Sequence, residues 1–155
     1  MTREDKYPTT DTFRYFNANP KNRITGDCRI RAIATATGED YNKIVLAFAI
    51  IQIETGYDQT ANQGISILME KLGWKKMPQP RKANGTKYTG KQWCKLLNKE
   101  RPDGIKAVAN IGGHHIVAIV PKVIDGKMKH RVYDIWDSTG KCIGNYWIKE
   151  KENRS

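Results

Sequence analysis

The chain has 155 residues, of which 39% are hydrophobic and 28% charged, and its formal net charge is +11. This composition supports a packed core and excludes a low-complexity or collagen-like chain, and the length favours one domain over residues 1–155. The longest apolar run, residues 44–51, is too short to span a bilayer.

The first ten residues and the cysteine content bear on location. The segment MTREDKYPTT lacks the apolar core of a signal peptide, and the three cysteines cannot all pair within one chain. We therefore expect a cytoplasmic protein with reduced thiols and no membrane association. No phosphate-binding loop occurs, and no histidine lies at zinc-finger spacing from a cysteine, so we expect neither a cofactor nor a metal.

Helical patterns dominate the first two thirds of the chain. Residues 1–27 hold few apolar side chains and predict an irregular polar arm. Four segments then fit helices: residues 28–37, 41–54, 62–72 and a short helix that begins at Thr89. Gly38 can end the first of these and Asp40 can cap the second. The Pro- and Gly-containing residues 75–88 predict a loop.

The hydrophobic period then changes to that of strands. Four segments fit strands: residues 105–111, 115–124, 128–136 and 142–148. Between the second and third, Asp125-Gly126 predicts a tight hairpin. Helices followed by an antiparallel sheet predict an α+β fold, with a core over about residues 17–148, a polar N-terminal arm and a charged C-terminal tail.

Cys28 follows Gly26-Asp27 and begins the helix predicted over residues 28–37. A thiol at this position lies at the positive end of the helix dipole, next to unpaired backbone N–H groups. Both features favour the thiolate, which is the nucleophilic form of cysteine. The simpler interpretation is a small buried residue, which is what most free cysteines are.

Two histidines precede the strand over residues 115–124. His115 begins this strand after a pair of glycines, so its ring can face a cleft rather than the core. Because side chains alternate along a strand, only one of His114 and His115 can reach Cys28. A lone histidine is more often a surface or core residue, and His130, on a charged strand, is predicted to be exposed.

An aspartate on the next strand can orient the His115 imidazole. A hairpin centred near Gly126 places Asp137 opposite His115, where its carboxylate would stabilise the charged ring. Asp134 is the alternative, because a shift of one residue in register exchanges the two faces of a strand. Trp136 can shield this pair from water or simply pack in the core.

A cysteine that begins a helix, a histidine that begins a strand and an aspartate on the adjoining strand together resemble the papain-like cysteine peptidase superfamily. The resemblance is carried by TGDCRIRAIA at Cys28, GHHIVAIV at His115 and VYDIWDS at Asp137. It is closest to compact members, such as bacteriocin-processing peptidase domains and small phage-encoded relatives. It implies that Cys28 is the nucleophile, His115 the general base and acid, and Asp137 the orienting residue.

The same resemblance implies a side-chain donor for the oxyanion shortly before the cysteine. Asn22, six residues upstream, is the matching candidate, with Asn17 and Asn19 as alternatives. The backbone N–H of Cys28 would be the second donor. The implied function is a cysteine hydrolase that cleaves a peptide or isopeptide bond through an acyl-enzyme, and the same groups could perform acyl transfer or deamidation.

Residues 74–101 suggest a different function, because they carry nine basic residues and only one acidic residue. The basic residues are Lys75, Lys76, Arg81, Lys82, Lys87, Lys91, Lys95, Lys99 and Arg101. Such a field attracts nucleic acid, nucleotides or acidic proteins, and Trp74, Tyr88 and Trp93 could stack on bases. The second hypothesis is therefore a binding module with an inert Cys28, and the third is a phage-type inhibitor of a host protein. The simplest interpretation of this segment is a solvated surface with its aromatic residues in the core.

Overall fold

The structure is a computed structural model and describes residues 1–149. It contains helices α1 (Arg3–Lys6), α2 (Cys28–Thr37), α3 (Tyr41–Thr55), α4 (Asn62–Lys71) and α5 (Gly90–Glu100). The strands are β1 (Phe13–Tyr15), β2 (Lys75–Met77), β3 (Ala107–Ile111), β4 (His115–Ile124), β5 (Lys127–Asp134) and β6 (Ile143–Ile148). They form one sheet in the order β1-β5-β4-β3-β6-β2, so the fold is α+β. The predicted charged tail lies, apart from Lys149, outside the described residues.

The ends of the helices follow from local sequence signals. Gly38 ends α2 in the left-handed region, at a φ of 75°, and its N–H donates to the Ala34 carbonyl at 3.0 Å. Thr89 begins α5 with a capping box, in which its hydroxyl accepts from the Gln92 N–H while the Gln92 side chain accepts from the Thr89 N–H. Asp40 precedes α3 as expected, but its side chain makes no capping hydrogen bond.

The N-terminal arm and the sheet differ from the prediction in two respects. The arm is not wholly irregular, because it contains α1 and β1, and Phe13 of β1 is completely buried. Strand β1 pairs in parallel with β5, so the sheet is mixed rather than antiparallel. The predicted loop over residues 75–88 begins with β2, which pairs with β6.

Both faces of the sheet are covered, and each has its own hydrophobic cluster. On one face, Val108 of β3 and Ala118 of β4 pack with α2, α3 and α4 in what we call the α2 cluster. On the other face, the adjacent residues Ala109 and Val117 pack with α5 in what we call the α5 cluster. Because side chains alternate along a strand, β3 and β4 contribute to both clusters. Within residues 1–149, no helix is both long and apolar enough to cross a membrane.

Candidate active site

Cys28 is the first residue of α2 and is half-buried where that helix packs on β4. Burial raises the pKa of the Cys28 thiol, but hydrogen bonds from the His115 ring and the Ile116 backbone outweigh it. Together with the positive charges of His115 and Arg31, they hold the thiol pKa below its ordinary value of 9.0. The surroundings of this cysteine therefore favour the thiolate.

His115 is the first residue of β4 and stands between the thiol and a carboxylate. Its Nε2 forms a short hydrogen bond with Oδ2 of Asp134, so Nδ1 is the ring nitrogen left for Cys28. Burial lowers the pKa of the imidazole, but the hydrogen bonds with Asp134 and Cys28 outweigh it and raise the pKa to about 9. The Trp136 ring covers the imidazole, with a centroid separation of 5.0 Å, whereas His114 is exposed.

The turn between β4 and β5 explains why Asp134, rather than Asp137, meets His115. Asp125 and Gly126 both have positive φ and form a two-residue turn, so Ile124 pairs with Lys127. Odd-numbered residues of β4 therefore pair with even-numbered residues of β5, one residue away from the predicted register. This parity places Asp134 on the same side of the ladder as His115. Asp137 instead accepts hydrogen bonds from the N–H and hydroxyl of Thr139, at 2.9 and 2.6 Å.

A buried ion-pair network extends from Asp134 into the core of the protein. Asp134 Oδ1 accepts from Arg31 Nη1 at 2.6 Å and from the Ile135 N–H at 2.8 Å. Arg31 also donates from Nε to Asp27 Oδ1 at 2.8 Å. Asp27 Oδ2 in turn accepts from the Tyr41 hydroxyl at 2.6 Å. Every oxygen of the two carboxylates thus has a partner, which fixes Asp134 in the orientation that meets His115.

The three candidate oxyanion donors differ in how their amides are engaged. Asn19 donates to Asp27 Oδ2 at 3.1 Å and to the Tyr41 hydroxyl at 3.3 Å. Asn17 donates to the Arg23 backbone carbonyl at 3.1 Å and to the Asn22 side-chain oxygen Oδ1 at 3.4 Å. The Asn22 amide nitrogen makes no hydrogen bond to the described residues, and Asn22 is exposed with a φ of 54°. Of the three, Asn22 has the amide donor that is available to a ligand.

Sequence reasoning missed Arg31 and its partner Asp27. The available signal was Arg31, three positions after Cys28 and one of two arginines in a helix whose other residues are small or apolar. Residues three apart lie on the same helix face, so the guanidinium is directed towards the same side as the thiol. A charge in a buried helix requires a partner, and this helix can receive one from Asp27 at its start.

In the basic segment 74–101, two of the three aromatic residues are not available for stacking. Trp74 and Trp93 are 8% and 3% exposed and belong to the α2 and α5 clusters, respectively. Within residues 1–149, no three His, Cys, Asp or Glu side chains come together in a way that could hold a metal ion. Comparisons with models of protein families, with curated proteins and with solved structures found no match.

Proposed function

We propose that this protein is a papain-like cysteine hydrolase that cleaves a peptide or isopeptide bond. The observation that carries the proposal is the chain of contacts from the Cys28 thiol through the His115 imidazole to the buried Asp134 carboxylate. These three residues are distant in sequence and belong to three different elements. Nucleophilic catalysis by cysteine requires this order of thiol, base and orienting group.

In the first chemical step, the Cys28 proton passes to Nδ1 of His115 and the thiolate attacks the substrate carbonyl carbon. Asp134 stabilises the resulting imidazolium through Nε2. The carbonyl oxygen becomes an oxyanion, for which the Cys28 N–H and the Asn22 amide are the proposed donors. His115 then protonates the leaving amine as the carbon–nitrogen bond breaks, which leaves an acyl-enzyme.

In the second step, water attacks the acyl-enzyme and gives its proton to His115, and the thiolate leaves. An amine in place of water would give acyl transfer, and a glutamine or asparagine side chain as the substrate would give deamidation. We place this chemistry in the cytoplasm, where unpaired cysteines stay reduced, and Cys28, Cys94 and Cys142 are all unpaired.

Alkylation by iodoacetamide tests the activation of the thiol, and the protein contains its own controls. Cys142 is exposed, whereas Cys94 is buried and burial raises its pKa to about 12. At neutral pH we expect Cys28 to be labelled at least about tenfold faster than Cys142, because its pKa is lowered and each pKa unit changes the thiolate fraction tenfold. Peptide mapping by mass spectrometry measures the three rates. Equal labelling of Cys28 and Cys142 would contradict the proposal.

Hydrolysis itself is tested by incubating a mixture of peptides with the protein and with its Cys28→Ala variant. We expect new peptide termini with the native protein and none with the variant. Because an imidazolium must protonate the leaving amine, turnover should fall as the pH rises through the pKa of His115, at about 9. Release of ammonia without new termini would identify deamidation instead.

A further inference from the structure

A second site lies on the α5 side of the sheet, across from α2. A groove of about 330 Å³ runs between α5 and the segment that precedes it, with β6 as its floor. Arg81 and Tyr88 line one wall, Trp93 and Arg101 line the other, and Tyr146 lies on the floor. The volume is within the range of small-molecule pockets.

The walls of this groove are held in place before any ligand binds. The segment carrying Arg81 folds back on itself through a bridge to Lys87 and is attached to β6 at both ends. The Gln79 side chain donates to the Ile143 carbonyl at 2.8 Å, and the Ile143 N–H donates to the Tyr88 carbonyl at 2.8 Å. A preformed groove avoids much of the entropy cost of ordering its walls on binding.

Two arginines line the groove, Arg81 from the segment before α5 and Arg101 from the end of α5. Arg81 donates to two neutral acceptors, the Gly85 carbonyl and the Gln79 side chain, at 2.9 and 3.0 Å, and has no carboxylate partner among the described residues. Arg101 makes an exposed contact of 3.5 Å with Asp103. Glu100 also lines the groove, but the surrounding segment 74–101 is strongly basic. Guanidinium groups in this arrangement favour carboxylate or phosphate.

Aromatic side chains line the groove between these charges, with the Trp93 and Tyr146 rings inclined at 57° to each other. The Trp93 and Tyr146 rings pack against each other with their centroids 4.6 Å apart. Burial raises the pKa of the Tyr146 phenol, although the charge of Arg101 opposes the shift. The phenol is half-buried and makes no hydrogen bond to any residue from 1 to 149, so it remains available as a donor to a ligand.

We propose that this groove binds a small anion that carries a flat ring, of the size of a mononucleotide. The ring lies against the half-buried side chains of Tyr88 and Tyr146, and the anionic group lies between Arg81 and Arg101. The site is independent of Cys28, because it is built from α5, β6 and the segment between β2 and α5. Among the partners expected for the basic segment (nucleic acid, nucleotides or acidic proteins), this proposal selects one compact ligand.

Titration with adenosine monophosphate, followed by the NMR signals of the indole N–H groups, tests this proposal. We expect the Trp93 signal to shift while those of Trp74 and Trp147 stay constant, since these two rings belong to the α2 cluster. Adenosine lacks the charge and inorganic phosphate lacks the ring, so each should bind at least about tenfold more weakly at constant ionic strength.

Variants separate this groove from the general basic field. Arg81→Gln and Arg101→Gln should each weaken binding about tenfold or more, whereas Lys99→Gln, an equal loss of charge at an exposed residue of α5, should change it less than about twofold. The Cys28 labelling rate should be unchanged in all three. No shift at millimolar nucleotide, equal binding of phosphate, or equal weakening by Lys99→Gln would overturn the proposal.

Discussion

At the scale of single residues, Asp134 is held by two cations that use different oxygens. His115 bonds Oδ2 and Arg31 bonds Oδ1, so the carboxylate cannot rotate away from the imidazole without breaking a buried ion pair. The Arg31 charge helps to lower the thiol pKa, and because Arg31 also holds Asp134, it is a positioning residue in the proposed mechanism. The price of this rigidity is a buried cation, which Asp27 helps to neutralise.

The choice between Asp134 and Asp137 gives a prediction with a matched control. Asp134→Asn removes the charge that keeps the His115 pKa high, so the imidazolium and the Cys28 thiolate are both less stable. We expect alkylation of Cys28 at neutral pH to slow by about tenfold or more. Asp137→Asn should leave the rate unchanged, because an amide oxygen can still accept the hydrogen bonds from Thr139.

Protection of Cys94 shows whether either variant has unfolded. This thiol is completely buried, so it is labelled only when the α5 cluster opens. A variant with slow Cys28 labelling and a protected Cys94 has lost activation rather than structure. Fast Cys28 labelling in a folded Asp134→Asn variant, or a slower rate in Asp137→Asn, would show that Asp134 is not the orienting residue.

At the scale of elements, the sequence predicts most of the fold because the local signals are strong. The helix over 28–37 and the strand over 115–124 have the predicted bounds. Strands β1 and β2 were missed because each has three residues and is defined by pairing with a distant strand. The register of β4 with β5 changes when the turn is one residue longer or shorter. The Asp125-Gly126 pair alone does not fix this length, so the sequence could not decide between Asp134 and Asp137.

The prediction that His130 is exposed is wrong, for a related reason. Its neighbours on β5 are charged, but alternation directs its ring into the protein, where it has no solvent exposure. Its Nε2 accepts from the Ile105 N–H at 3.0 Å, and its Nδ1 meets the Asn98 side chain at 2.9 Å. Neither partner is close to His130 in sequence, so no local pattern indicates these contacts.

This burial predicts how stability changes with pH. Burial and the charge of Arg101 lower the pKa of His130 from 6.5 to about 4. Between these two pH values the unfolded chain binds a proton that the folded protein does not. The contribution of neutral His130 to the unfolding free energy is therefore complete above pH 6.5 and is lost as the pH falls towards 4. One such group changes the free energy of unfolding by at most about 1.4 kcal/mol per pH unit.

Urea unfolding across this pH interval measures the contribution of His130. We expect His130→Gln to unfold with a smaller dependence on pH than the native protein, since an amide oxygen can accept from Ile105 without titrating. His114→Gln, at an exposed histidine, should keep the native dependence. The contribution of His115 to the unfolding free energy changes in another pH interval. Because the pKa of His115 is raised, this contribution is complete below pH 6.5 and is lost as the pH rises towards about 9. An unchanged slope in His130→Gln would mean that this ring is protonated in the fold.

At the scale of the whole molecule, one sheet joins the two hydrophobic clusters. Adjacent residues of the same strands belong to opposite clusters, as Val108 and Ala109 do on β3. Loss of packing on one face therefore loosens the strands that form the floor of the other. The candidate thiol site lies where α2 meets β4, and the proposed anion site lies over β6, so both depend on this shared sheet.

This arrangement predicts that the protein unfolds as a single unit. Ile51 and Ile53 both lie on α3, far from α5, and are 1% and 84% exposed. Ile51→Ala should cost about 2–5 kcal/mol of unfolding free energy, and Ile53→Ala less than about 0.5 kcal/mol. In urea, circular dichroism follows the whole chain and Cys94 labelling follows the α5 cluster. Because the clusters share β3 and β4, Ile51→Ala should move both midpoints by the same amount. If Cys94 kept its native midpoint while the helical signal was lost earlier, the two faces would be separate folding units.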